Sequence, residues 1–284
     1  MKEKFTSFSP FTQVILLMVI GCVSFVVISM MASIIITQLY PSIPTSNIEV
    51  QTKTFPVQYM LMYYFPFQAG FLLLPGLVYL TLSSNRKNNI PKTRVKGLVW
   101  SILAFSAIFL LLPFFTEINA SIVQFLGVFD SLNAAKMAND NQLQQIIGTV
   151  NSTSFWIGIL TIGVFTGIAE ELAFRRFLFH HMFVNTNKFV LSLLASSFAF
   201  ALLHFNYLQF LPLFMFGLVL CLMYYVSGSI IPGMIAHALN NMLNIYWLST
   251  NKFPSWLEEI DLKITIPSTL VLMGLIIYFI KKRN

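Results

Sequence analysis

From Phe11 onward the chain alternates long apolar runs with short polar breaks. A hydrocarbon core of about 30 Å takes roughly 20 helical residues to cross. Runs of that order fall near 11–39, 56–82, 97–115, 155–183, 189–205, 208–226, 230–248 and 264–280. The pattern predicts an all-α polytopic bundle of about eight transmembrane helices. The first run is too long for the apolar core of a secretory signal and reads as a membrane helix. Within 116–153, Asn133, Asn139, Asn141 and Gln142 to Gln145 surround a weak helical pattern, which predicts a short surface helix rather than a ninth span. No internal repeat, low-complexity tract or soluble domain is visible.

Composition agrees with this reading. The chain is 57% hydrophobic and 10% charged, with a mean hydropathy of +0.77, whereas about a quarter of the residues of a soluble domain are charged. This describes a multi-pass membrane protein in contact with lipid. The net charge of +7 and pI near 9.4 do not indicate a nucleic-acid partner, because the basic residues sit in short runs between apolar segments, where they orient helices. Arg86, Lys87, Lys92, Arg94 and Lys96 fill the loop 83–96 without an acid, and the C-terminus carries Lys281, Lys282 and Arg283. Glu117, Asp130 and Asp140 outnumber Lys136 in 116–153, and Glu258, Glu259 and Asp261 lie in 249–263. The positive-inside rule puts the first two segments in the cytoplasm and the last two outside. An even number of spans with Lys2 and Lys4 inside then makes both termini cytoplasmic. Cys22 and Cys221 lie in apolar runs, which argues against a structural disulfide or thiolate metal site.

Four charged residues interrupt the run 155–183: Glu170, Glu171, Arg175 and Arg176. One ionisable side chain in a membrane helix costs from roughly 2.5 to well above 10 kcal/mol, so such groups pair, face the bundle interior and mark function. Glu171 and Arg175 are neighbours on one helical face, while Glu170 points about 100° away. The alternative is a helix end with both arginines snorkelling to the headgroups. If 155–183 and 189–205 form a hairpin turning at Asn185–Lys188, Glu170 and His204 sit about 24 to 27 Å along their helices, at one depth. In the run 230–248, His237 and Asn241 share a face. Asn240 and Asn244 read as hydrogen bonds between helices, and His180 and His181 as interfacial groups. A carboxylate with an imidazole can activate water, and a second imidazole with a carboxamide can stabilise an oxyanion. Glu170, His204 and His237 also have the ligand types of catalytic zinc. Spacing does not separate these two readings.

Three motifs then carry a resemblance. Glu170-Glu171-Leu172-Ala173-Phe174-Arg175, Phe200-Ala201-Leu202-Leu203-His204 and His237-Ala238-Leu239-Asn240-Asn241 resemble, in order and spacing, the E-E-x-x-x-R, F-x-x-x-H and H-x-x-x-N motifs of the CPBP intramembrane proteases. That family includes type II CAAX prenyl endopeptidases and bacteriocin-processing or self-immunity proteins. The resemblance covers about residues 155–248 and does not identify the first three spans or the outer loop, so the expected division is N-terminal membrane helices with an outer loop (1–153), a catalytic helical core (154–250) and a C-terminal helix with a basic tail (251–284). The resemblance implies an endopeptidase in which Glu170 and His204 activate water, His237 and Asn241 form the oxyanion site, and Glu171 and Arg175 assist or brace. No cofactor is the favoured reading, with zinc on Glu170, His204 and His237 as the alternative. The substrate expected is a peptide or protein, prenylated or leader-containing, and the expected location is a bacterial cell membrane. A proton-coupled transporter and a non-catalytic membrane scaffold are the rival classes. A transporter built from repeats would show two related halves of broken helices, which the sequence does not.

Overall fold

Each of the eight apolar runs forms a helix in the computed structural model, which describes residues 5–44, 47–82, 95–255 and 262–283. In chain order the helices are α1 (Pro10–Leu39), α2 (Ile48–Thr54), α3 (Pro56–Leu82), α4 (Val95–Phe125), α5 (Phe129–Ile147), α6 (Thr153–Thr186), α7 (Phe189–Leu202), α8 (Tyr207–Ser227), α9 (Ile231–Thr250) and α10 (Leu262–Arg283). Among the described residues five are long and apolar enough to cross a membrane: α1, α3, α4, α6 and α8. This is a multi-pass membrane protein, and the remaining three of the eight expected spans do not reach that measure among the described residues. Helix α7 has only 14 residues, and His237, Asn240, Asn241 and Asn244 dilute the apolar character of α9. The expected surface helix is α5, whose first twelve residues are largely exposed. Of the charges used for orientation, Lys2, Lys4, Arg86, Lys87, Lys92, Arg94, Glu258, Glu259 and Asp261 lie outside the described residues.

The chain divides into two compact units that interleave along the sequence. The first draws on Met1–Lys87, Ala138–His181 and His237–Lys252, the second on Asn88–Met137, Met182–Ala236 and Phe253–Asn284.

In the first unit, α1 starts at Pro10, with the Ser9 hydroxyl accepting from the Thr12 amide. Only 11% of its most apolar window is buried, as befits a helix bathed in lipid. It meets α3 where a Cβ on Gly70 would lie 2.6 Å from the Phe25 backbone, so only glycine allows that approach. Helix α3 contains Pro66 and Pro75. Each removes a backbone donor, and α-helix gives way to wider π turns over Met60–Tyr64 and Phe67–Leu73. Helix α6, N-capped by Ser152, has π segments at Ile159–Phe165 and Glu171–Phe179 without a proline. Three glutamines of α5 tie the unit together at one end. Gln142 donates to the Tyr59 hydroxyl, Gln145 accepts from Thr52, and Gln144 donates to the Leu248 carbonyl and to Asn251.

In the second unit, α4 packs on α8 and α10, and α7 packs on α8. The carboxamide of Asn119 staples the start of α8, donating to the carbonyls of Tyr207 and Leu208 and accepting from the Leu211 amide. Cys221 is buried there among Ser196 and Ser197, and both it and the exposed Cys22 are free thiols.

Candidate active site

The close contact of α6 with α9 begins with small residues. A Cβ on Gly167 would lie 2.8 Å from the Ala238 nitrogen, and one on Gly163 would lie 2.9 Å from Met242 Cγ. Gly163 and Gly167 form a small-x-x-x-small stripe of the kind that lets membrane helices approach closely. The sequence contains that stripe, but only the structure tells which helix it meets. The approach seats His237 against the carboxylates that follow Gly167.

Arg175 Nη1 lies 3.0 Å from Glu171 Oε1, and both side chains are wholly buried. The four-residue spacing predicted this pair, and its burial excludes the snorkelling alternative. Arg176 is buried as well. His237 Nδ1 donates to the same Glu171 oxygen at 3.1 Å. Because Glu171 is ion-paired with Arg175, it acts as the acceptor and fixes the proton on Nδ1. His237 Nε2 is thereby turned toward Glu170 Oε2, at 3.7 Å. That is beyond a hydrogen bond, yet near enough for one water oxygen to bond both groups. Glu170 is buried too, at 8% exposure. The four groups therefore form a chain in which a guanidinium and one carboxylate hold an imidazole beside a second carboxylate.

Asn241 lies one turn further along α9, and its Oδ1 accepts from Asn240 Nδ2 at 3.5 Å, which leaves the Asn241 Nδ2 to donate elsewhere. Asn244 donates to the Asn240 carbonyl, so it bonds within its own helix rather than across the bundle. His181 is buried, not surface-facing. Its ring meets the Pro10 carbonyl at 3.0 Å and sits edge-on to Tyr79.

His204 belongs to the second unit, in the turn after α7, where it is exposed. Its Nδ1 donates to the Phe200 carbonyl at 2.7 Å, and the two rings are 4.6 Å apart. A carbonyl only accepts, so the neutral ring keeps its lone pair on Nε2, the form a general base needs. The first unit thus brings together Glu170, Glu171, Arg175 and His237, with Asn241 nearby, and His204 is anchored within its own unit.

Sequence reasoning paired Glu171 only with Arg175 and missed its bond to His237, because the partner comes from another helix. As to metal, among the described residues no group of three or more His, Cys, Asp and Glu could hold an ion. Glu171 Oε1 is engaged by both Arg175 and His237.

No curated protein and no solved structure matches the chain. Residues 152–243, about a third of the chain, contain all three motifs and match the sequence model of the Rce1-like type II CAAX prenyl endopeptidases, within the family that those motifs resemble.

Proposed function

We propose that this chain is an intramembrane endopeptidase that hydrolyses peptide bonds with water activated by Glu170. The observation that carries the reading is the buried chain Arg175–Glu171–His237–Glu170. Glu171, neutralised by Arg175 and bonded to the ring, acts as a brace. Glu170 stands outside that ion pair and is the base. It takes a proton from water as the water oxygen adds to the scissile carbonyl carbon. It then returns that proton to the amide nitrogen as the C–N bond breaks. His237, when protonated on Nε2, and Asn241 through Nδ2 donate to the carbonyl oxygen as it becomes an oxyanion. The motif assigns His204 to the same reaction as a second base, and its Nδ1 bond to Phe200 suits that role.

The reaction is proposed to run without a metal, with Glu170 itself taking the proton from water. A zinc-dependent version would draw on Glu170, His204 and His237. The substrate is a peptide or protein reaching the site from the membrane, and the proposed forms are a prenylated C-terminus or a leader-containing precursor. The test compares wild type with Glu170→Gln on a self-quenched farnesylated C-a-a-X peptide and on leader-containing precursors, in liposomes. Glu170→Gln keeps size and burial and should abolish cleavage with substrate binding intact. Cleavage by Glu170→Gln at the wild-type rate would refute the assignment.

A further inference from the structure

We infer that Gln68 is a substrate-binding residue of the same site, accepting a hydrogen bond from a main-chain N–H of the peptide beside the bond to be cut. This rests on the proteolytic reading above. Gln68 lies in the apolar helix α3, where no other residue from Phe65 to Val78 has a hydrogen-bonding side chain. It is 5% exposed. Its Oε1 is buried and has no hydrogen-bond partner among the described residues. A buried acceptor without a donor is destabilising, and native structures hold few of them. An apolar side chain would fill the position without that cost.

The helix face locates the group. Phe65, Gln68, Leu72, Gly76 and Tyr79 recur at helical spacing on one face of α3. The Phe65 ring stacks on Phe165 at 5.2 Å, a Cβ on Gly76 would lie 3.1 Å from Leu172, and the Tyr79 ring is 5.3 Å from Phe177. All three contacts are with α6, and residue numbers rise together, so the helices run in the same direction. Gln68 falls between the first two contacts, level with Thr166 to Ile168 and about one turn from Glu170. Consistent with this, the segment Phe67–Leu73 packs on Thr166–Glu170. The buried amide therefore points to the flank of the base.

The chemistry selects the donor. A peptide must be extended to present its scissile bond, and an extended backbone in an apolar site exposes N–H groups that water no longer serves. A buried acceptor one turn from the base meets that need, and its orphan state before substrate arrives follows from the same role.

The experiment uses the full chain in liposomes with the farnesylated peptide above and a series in which single main-chain N–H groups flanking the scissile bond are replaced by ester oxygens. Glu170→Gln is the control. One ester substitution should lower wild-type kcat/KM roughly three- to tenfold, the worth of one neutral hydrogen bond. Gln68→Leu should lower kcat/KM for the parent peptide by the same factor, mainly through KM, and lose nothing more on that ester. Gln68→Leu should melt no lower than wild type. An unchanged kcat/KM in Gln68→Leu overturns the inference while leaving the protease reading in place. So does a loss that tracks reduced folded protein, or equal ester penalties in both enzymes, which would make Gln68 a ligand for water or a packing residue. If wild type and Glu170→Gln behave alike, the proteolytic reading falls and takes this inference with it.

Discussion

Neutralising one member of the buried pair Glu171–Arg175 should damage the fold more than neutralising both. Both side chains are wholly buried and 3.0 Å apart. In Glu171→Gln the carboxamide oxygen still accepts from His237 Nδ1, and the main loss is the charge beside Arg175. In Arg175→Met the guanidinium is gone, and Glu171 keeps its charge with only the imidazole beside it. Each single change leaves an uncompensated buried charge, at about 3–5 kcal/mol. The double variant leaves neither, and an apolar or neutral pair of similar volume is often harmless to stability. A coupling free energy of at least about 2 kcal/mol is therefore expected, against about 0.5 kcal/mol or less for independent sites. The assay is thermal or denaturant unfolding of purified single and double variants in one detergent, with activity measured on the folded fraction. Activity should stay low in the double variant even where stability returns, because the methionine leaves the carboxamide at position 171 unanchored and with it the ring of His237. Simple additivity of the two stability losses would refute the pairing as an energetic unit.

His237→Ala and Asn241→Ala should each lower turnover by about two to three orders of magnitude, the cost of about 2.7–4 kcal/mol for one oxyanion donor. A KM effect with normal turnover would count against that role. Purified active protein should contain far less than one equivalent of zinc and survive prolonged chelation. Stoichiometric zinc that tracks activity across Glu170, His204 and His237 variants would overturn the metal-free reading. Gly167→Ala puts a Cβ 2.8 Å from the Ala238 nitrogen, and should cost about 1–3 kcal/mol by overpacking while lowering activity through a displaced His237; a stable, fully active Gly167→Ala protein would show the approach to be unnecessary. For topology, cysteines introduced at Lys92 and Asp140 should label oppositely with an impermeant maleimide in intact cells, and equal labelling would refute cytoplasmic placement of the first and outer placement of the second.

Helix existence was legible because a membrane helix is written as length and hydropathy, both local properties. Helix ends were less so. The apolar run 189–205 reads as a span, but its helix stops at Leu202, and Phe205 takes a left-handed backbone with φ of 51°. Fourteen helical residues reach about 21 Å, short of a hydrocarbon core of about 30 Å. The ion pair of Glu171 with Arg175 was legible for the same local reason, since four residues bring both to one face. The bond from His237 to Glu171 spans 66 positions in sequence, and no periodicity encodes it. The Gly163–Gly167 stripe lies between these cases. Its composition can be read directly, yet its meaning depends on Ala238 and Met242 arriving opposite it.

Polar residues in apolar runs carry more information here than their number suggests, because hydrocarbon penalises each one that lacks a partner. Three of them have bonds within their own units. Glu171 meets Arg175 and His237. Asn119 meets three backbone groups at the start of α8. His181 meets the Pro10 carbonyl. By the same reasoning Gln68 could have been singled out from the sequence as the one carboxamide in its stretch of α3, and it was not, because a single amide has no partner spacing to recommend it. The structure changes its standing by showing a buried oxygen without a donor among the described residues, on the face turned to the Glu170 helix. What distinguishes it from the other three is that its side-chain oxygen meets no donor at all among the described residues, the place that the proposal gives to a main-chain N–H of the substrate.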